Sequence, residues 1–191
     1  MSKFTSFTSR SGMSVGNAVT ADQLVSFFKQ IYTKHKEEEI TFVCIGTDRS
    51  TGDALGPLTG TYLCDHGFAR VIGTLSSPCD AANLESHLAE IPPDQIIIAI
   101  DACLGDAANI GRFISKSTAL FPGRSVKGQL PPVGNYSIAG IVNRNGPRPY
   151  SILQMTSLYQ VMNMASQIAD AAKASVDYTR MSQVNELAIE V

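Results

Sequence analysis

The sequence predicts an α/β protein, a three-layer sandwich around a mixed, mostly parallel sheet. Two near-continuous apolar runs, residues 40–45 and 96–100, lack the polar alternation of a half-exposed strand, so both read as strands covered on two faces. Segments with helical spacing of apolar residues fall between strand-like runs, and strands that alternate with helices favour parallel pairing through crossovers.

The elements follow in order. Thr20 with Gln23 three residues later is a capping box, and Leu24, Phe27, Phe28 and Ile31 then recur at helical spacing, which predicts a helix over 21–37. Lys34, His35, Lys36 and the acids at 37–39 are expected to close it in solvent. The strand at 40–45 follows, then a loop at 46–52. The segment 53–66 places Leu55, Leu58, Tyr62 and Leu63 on one side and stops at Gly67, although Gly56, Pro57 and Gly60 disfavour a regular helix. Residues 68–75 read as a strand, Asp80 as the cap of a short helix reaching about 90, and 96–100 as the third strand.

The second half is less regular. Residues 110–117 and 135–143 suit further strands, separated by Gly- and Pro-rich connections that include the turn at 131–135. Ser151 with Gln154 makes another capping box. Leu153, Leu158, Val161, Met162, Ala165, Ile168 and Ala169 then mark a closing helix to about 174, its methionines read as core packing. The expected organisation is a flexible arm at 1–19, one α/β domain at 20–176 and a frayed tail at 177–191.

Composition narrows the function classes. Hydrophobic residues make up 44% and charged residues 17% of the chain, and no apolar run nears the ~20 residues of a membrane span, so a membrane protein is not expected. With a formal net charge of −2 and scattered basic residues, direct nucleic-acid binding is disfavoured. Cys44, Cys64, Cys79 and Cys103 form no CxxC pair, which suggests a reducing cytosol, and residues 1–19 lack the apolar core of a secretion signal.

The chemistry-bearing positions are two acids. In open α/β sheets, ligands sit beyond the carboxyl ends of the strands, where the strand order reverses. If the first three strands lie in the order 2-1-3, Asp53 in the loop after the first strand and Asp101 at the end of the third line one crevice. Two close carboxylates share a proton, so one serves as base while the other serves as acid, and the pair can activate water. The plainer alternatives are a helix cap for Asp53 and a strand-end turn for Asp101.

Other chemistries fit less well. The loop at 46–52 has neither GK[ST] nor GxGxxG, and Asp48 and Asp53 would repel a phosphate from the helix start. His35, His66 and His87 fall on helices or helix ends, away from the crevice, so neither a metal nor another cofactor is expected. Cys103, two residues past Asp101, has no histidine beside it in the pattern and reads as a packed thiol. Asp48, Arg49, Lys127 and Asn135 are candidates to orient substrate, against the simpler reading of each as solvated loop.

The motif G-T-D-R-S-T-G-D-A-L-G-P at 46–57 and the later I-I-I-A-I-D-A resemble the YyaC group of sporulation proteins over residues 20–175. More distantly, the D-A-L-G-P and A-I-D-A segments, with V-G-N at 133–135, are similar to the spore germination protease. The resemblance implies the phosphorylase/hydrolase-like fold shared by that protease and the hydrogenase-maturation endopeptidases. It also implies catalytic roles for Asp53 and Asp101, at the acids of an atypical aspartic-type peptidase. Further implications are a protein or peptide substrate such as a spore protein, and a place in the forespore or spore core. A homo-oligomer stays open. Hydrogenase-maturation enzymes carry a glutamate where Asp53 stands and add a nickel-holding histidine; no histidine here occupies a corresponding place. A binding module that keeps the crevice without the reaction is the competing expectation.

Overall fold

The structure is a computed structural model that describes residues 18–123 and 130–189, with side chains described as far as 177. Five strands form one sheet: β1 (Ile40–Cys44), β2 (Val71–Ile72), β3 (Ile96–Gly105), β4 (Phe113–Lys116) and β5 (Tyr136–Arg144). Their order is β2-β1-β3-β5-β4. All neighbours are parallel except the β4–β5 pair, which is antiparallel. The 2-1-3 arrangement on which the shared crevice depends is therefore present, and the sheet is mixed and mostly parallel.

Alternation along the strands sorts the core into two layers. Phe42 and Cys44 of β1 with Ile98 and Ile100 of β3 face helices α1 (Ala21–Lys34), α2 (Leu55–Asp65) and α5 (Leu158–Ile189). Val43, Ile45 and Ala99 face the other way, toward Leu84 of α3 (Leu84–Ala89), Leu120 and Val133. Because α2 and α3 lie on opposite faces, the crossover from β1 to β2 runs one way and that from β2 to β3 runs back, as right-handed connections require. The chain order therefore reverses between β1 and β3.

Several elements differ from expectation. α1 ends at Lys34, and His35 is not solvated: its Nε2 meets the Tyr136 hydroxyl at 2.8 Å and its ring packs edge-on against that tyrosine. β2 is only two residues long, because the chain turns at Thr74–Ser77, where each residue's N–H bonds the other's carbonyl. Asp80 does not cap α3. Its Oδ1 accepts from Ala82 N in a preceding turn, and α3 starts at Leu84.

β3 continues five residues past Ile100, to Gly105, because β5 goes on pairing with it after β1 has stopped. Asp101 is therefore inside a strand rather than at its end.

The closing helix is two helices, α4 (Pro149–Gln154) and α5. Pro149 starts α4 where its missing N–H costs nothing. The Thr156 hydroxyl, which donates to Ile152 O and accepts from Asn143 Nδ2, marks its end. Ser157 then caps α5, its Oγ accepting from Gln160 N at 3.4 Å. This break turns Leu158 and Met162 outward, against the core role expected for them, while Val161, Ala165, Ile168 and Ala169 are buried. α5 also runs past 174 to Ile189, since no Gly or Pro interrupts 174–189. Val19 bridges Phe113 at the β4 edge, and so belongs to the fold rather than to the arm.

Candidate functional site

The site is built where β1 stops and β3 does not. Ile45 N donates to Ile100 O at 2.7 Å, Gly46 N donates to Cys79 O at 2.8 Å, and the chain then leaves the sheet. Asp101 is the next residue of β3, paired on its other side with Ala139 of β5. It occupies the gap at the reversal point.

Close backbone packing brings Asp53 to the same end. Gly46, at φ +149°, lies so near Asp53 that a Cβ would fall 2.0 Å from the Asp53 carbonyl oxygen. Gly56 abuts the end of β1, and its Cβ would fall 2.0 Å from Ile45 O. The glycines that weaken α2 as a helix are thus what lets its first turn press onto β1. Further bonds set the loop: Thr47 N donates to Asp53 O, Ala54 N to Ser50 O, and Gly52 N to Leu153 O at 2.9 Å. Leu55 adds an anchor by packing over Gly140 of β5.

Both carboxyls are perturbed. Burial pushes the Asp101 pKa up to about 7, the Ala102 N–H bonded to Oδ1 at 2.7 Å opposes the rise, and the negative charge of Asp53 adds to it. Burial also raises Asp53, with the Ser50 hydroxyl acting against the rise. Ser50 Oγ is buried and has no other group in full hydrogen-bonding geometry, so its weak interaction with Asp53 is the one it can offer. The two acids therefore lie at one end of the sheet and within electrostatic reach of each other. Cys103 is no activated nucleophile, since burial and then the Asp101 charge push its thiol up to about 12.

The other candidates are placed differently. Arg49 points to Asp80, with Nη2 to Oδ2 at 2.9 Å, and not to either acid of the pair. Asp48 is exposed in the same loop. Asn135 exchanges hydrogen bonds with Ile97, its Oδ1 accepting from Ile97 N and its own N–H donating to Ile97 O. That is four residues before Asp101 on β3, roughly 13 Å along the strand, so Asn135 serves the ladder and does not reach the pair. Lys127 lies outside the described residues. Sequence reasoning overlooked Ser50 and Leu153; the S-x-x-D spacing of Ser50 and Asp53 was the available signal for the first.

A family described as "protein of unknown function (DUF1256)" matches residues 13–171. The chain belongs to the DUF1256 family. It is 42% identical over 159 residues to the uncharacterized protein YyaC of Bacillus subtilis strain 168, covering 81% of this chain and 78% of that one. Among solved structures, it is similar to the [NiFe] hydrogenase maturation protease HycI of Thermococcus kodakarensis, at 17% identity and a TM-score of 0.48, over 77% of this chain and 99% of that one. The [NiFe] hydrogenase maturation protease HybD of the same organism gives 14% identity and a TM-score of 0.47, over 71% and 97%.

Among the described residues, no three His, Cys, Asp or Glu side chains gather so as to hold a metal ion. His35 is engaged with Tyr136, and His66 Nε2 meets Asp170 Oδ1 at 2.8 Å. Nor is any described helix long and apolar enough to cross a membrane.

Proposed function

We propose that this DUF1256 protein is a sporulation-associated, peptidase-like hydrolase in which Asp53 and Asp101 share a proton and activate water against a protein amide. The observation that carries the reading is geometric: Asp101 occupies the gap past the end of β1, and the packing of Gly46 and Gly56 brings Asp53 to the same end of the sheet, where burial first and then the Asp53 charge raise Asp101. Near neutral pH, Asp101 is present substantially as the acid and Asp53 is the better base. Asp53 takes a proton from water as the oxygen adds to the amide carbon, and Asp101 gives its proton to the carbonyl oxygen. On collapse of the tetrahedral species, Asp53 gives its proton to the leaving nitrogen while ionised Asp101 takes one back from a gem-diol hydroxyl, so the C–N bond breaks, a carboxylic acid and an amine leave, and both aspartates return to their starting states. The likeness of D-A-L-G-P and A-I-D-A to the germination protease supports this assignment, as it supports a spore protein as substrate.

A second reading rests on the same residue. Burial is the largest cause of the Asp101 shift, and its Oδ1 is held by its own neighbour's N–H, as befits a carboxyl kept for structure in a binding crevice. A multiplexed peptide mixture incubated with purified protein separates the two. The hydrolase produces new termini by mass spectrometry, Asp53→Asn and Asp101→Asn each remove them, and wild-type protein that produces none supports the binding module.

A further inference from the structure

Large apolar side chains are exposed in one place above all. Among the described residues, Tyr150 (52%), Met155 (83%), Leu158 (56%), Tyr159 (80%) and Met162 (41%) fall within the short stretch that holds α4 and the start of α5; Leu75 and Phe121 are the others. The i, i+1, i+4 spacing of Leu158, Tyr159 and Met162 sets them on one side of the first turns of α5. Such clustering marks an interaction surface rather than scattered exposure.

Charge specifies the partner. The chain carries a net −2, yet no Asp or Glu occurs from 107 to 169, where Arg112, Lys116, Arg124, Lys127, Arg144 and Arg148 stand. Arg144 and Arg148 are exposed, directly precede α4, and form no ion pair among the described residues. Asp106, exposed and without an ion pair among the described residues, lies next to the Gly105–Arg144 pair, while Asp48 and Asp53 lie in the loop that Leu153 holds. The arm at 1–17 is a poor occupant because its charged residues are Lys3 and Arg10.

Position ties the surface to the acids. Leu153 O holds Gly52 N, next to Asp53, while Asn143 at the end of β5 donates to Ile152 O and Thr156 Oγ. The patch therefore adjoins the end of the sheet where Asp53 and Asp101 lie. An occupant lying on it is presented to the carboxyls, which favours a protein segment over a bilayer.

We infer that the face formed by Tyr150, Met155, Leu158, Tyr159 and Met162, flanked by Arg144 and Arg148, docks an acidic, apolar segment of the protein substrate. This rests on the hydrolase reading and gives it a substrate class. The test is methyl NMR of full-length protein labelled at methionine, titrated with a synthetic peptide alternating Leu and Phe with Glu, and with its Lys-for-Glu counterpart.

The Glu peptide is expected to shift the Met155 and Met162 methyls and leave buried Met164 in place. Tyr159→Ala should weaken this binding about tenfold, and Arg144→Glu with Arg148→Glu should transfer the preference to the Lys peptide. Absence of shifts, equal shifts with both peptides, or shifts caused only by anionic phosphatidylglycerol vesicles would overturn the inference. So would the same shifts on concentrating the protein alone, which would assign the face to a second copy. Wild-type protein that shows these shifts but cleaves no peptide would overturn the hydrolase reading alone, and cleavage without the shifts would overturn the docking alone, so the two are separate results.

Discussion

The backbone carbonyl of Leu153 accepts the N–H of Gly52 at 2.9 Å, which ties helix α4 to the loop that delivers Asp53. Leu153 is itself buried, so one residue both fills core and fixes the loop. Leu153→Ala should cost about 2–3 kcal/mol in urea unfolding, in the range for a buried leucine. It should also lower kcat on a cleaved peptide, whereas Leu84→Ala, a change at another buried leucine, under the opposite face, should lower stability without that loss.

The contact of Gly56 with Ile45 O predicts a sharper effect. Gly56→Ala has no room, since the new Cβ would meet a backbone oxygen, and about 3 kcal/mol or more of stability should go, in the class of overpacking against fixed backbone. Gly67→Ala is the control: φ is +87° but nothing lies within 4 Å, so only left-handed strain of about 1 kcal/mol is expected. Thermal unfolding of both variants ranks them.

Stability should depend on pH through Asp101. Its folded-state pKa of about 7 lies above the ordinary 3.8, so the folded chain holds that proton more tightly than the unfolded chain. The contribution is complete below about pH 4 and is lost as pH rises through about 7; Asp53, also raised, acts in the same direction. Asp101→Asn should therefore flatten the fall in urea midpoint between about pH 4 and 8. A variant that keeps the wild-type slope would place that proton elsewhere.

The Arg49–Asp80 pair should matter little for stability. The Arg49 side chain is 78% exposed, and exposed pairs are worth roughly 0–1 kcal/mol. Arg49→Ala should leave the melting temperature within a degree or two, and a larger drop would show that the pair fastens the loop.

Much of the fold was legible because its central strands are unambiguous. Residues 40–45 and 96–100 carry near-continuous apolar runs that read as strands buried on both faces, whereas the 2-1-3 order entered as a condition and is supplied by the structure. The length of β3 was not legible, since it depends on β5 pairing past Cys44, a relation between distant segments. The break between α4 and α5 was missed because Thr156 and Ser157 stop and restart the helix with side-chain bonds inside an otherwise periodic run. For the site, the end of the first strand gave the placement of Asp53, while Asp101, expected at a strand end, lies inside β3 where β1 has stopped, and Asn135 in its Gly-rich turn looked free and is held by Ile97.

The shared proton is tested most directly by a carbon-detected NMR titration of the aspartate carboxyls in wild-type protein and in Asp53→Asn. Asp101 should titrate near 7 in the wild type and at a lower pH in the variant, where the neighbouring charge is gone. An Asp101 that titrates near 4, or one whose midpoint ignores Asp53, would contradict the pair.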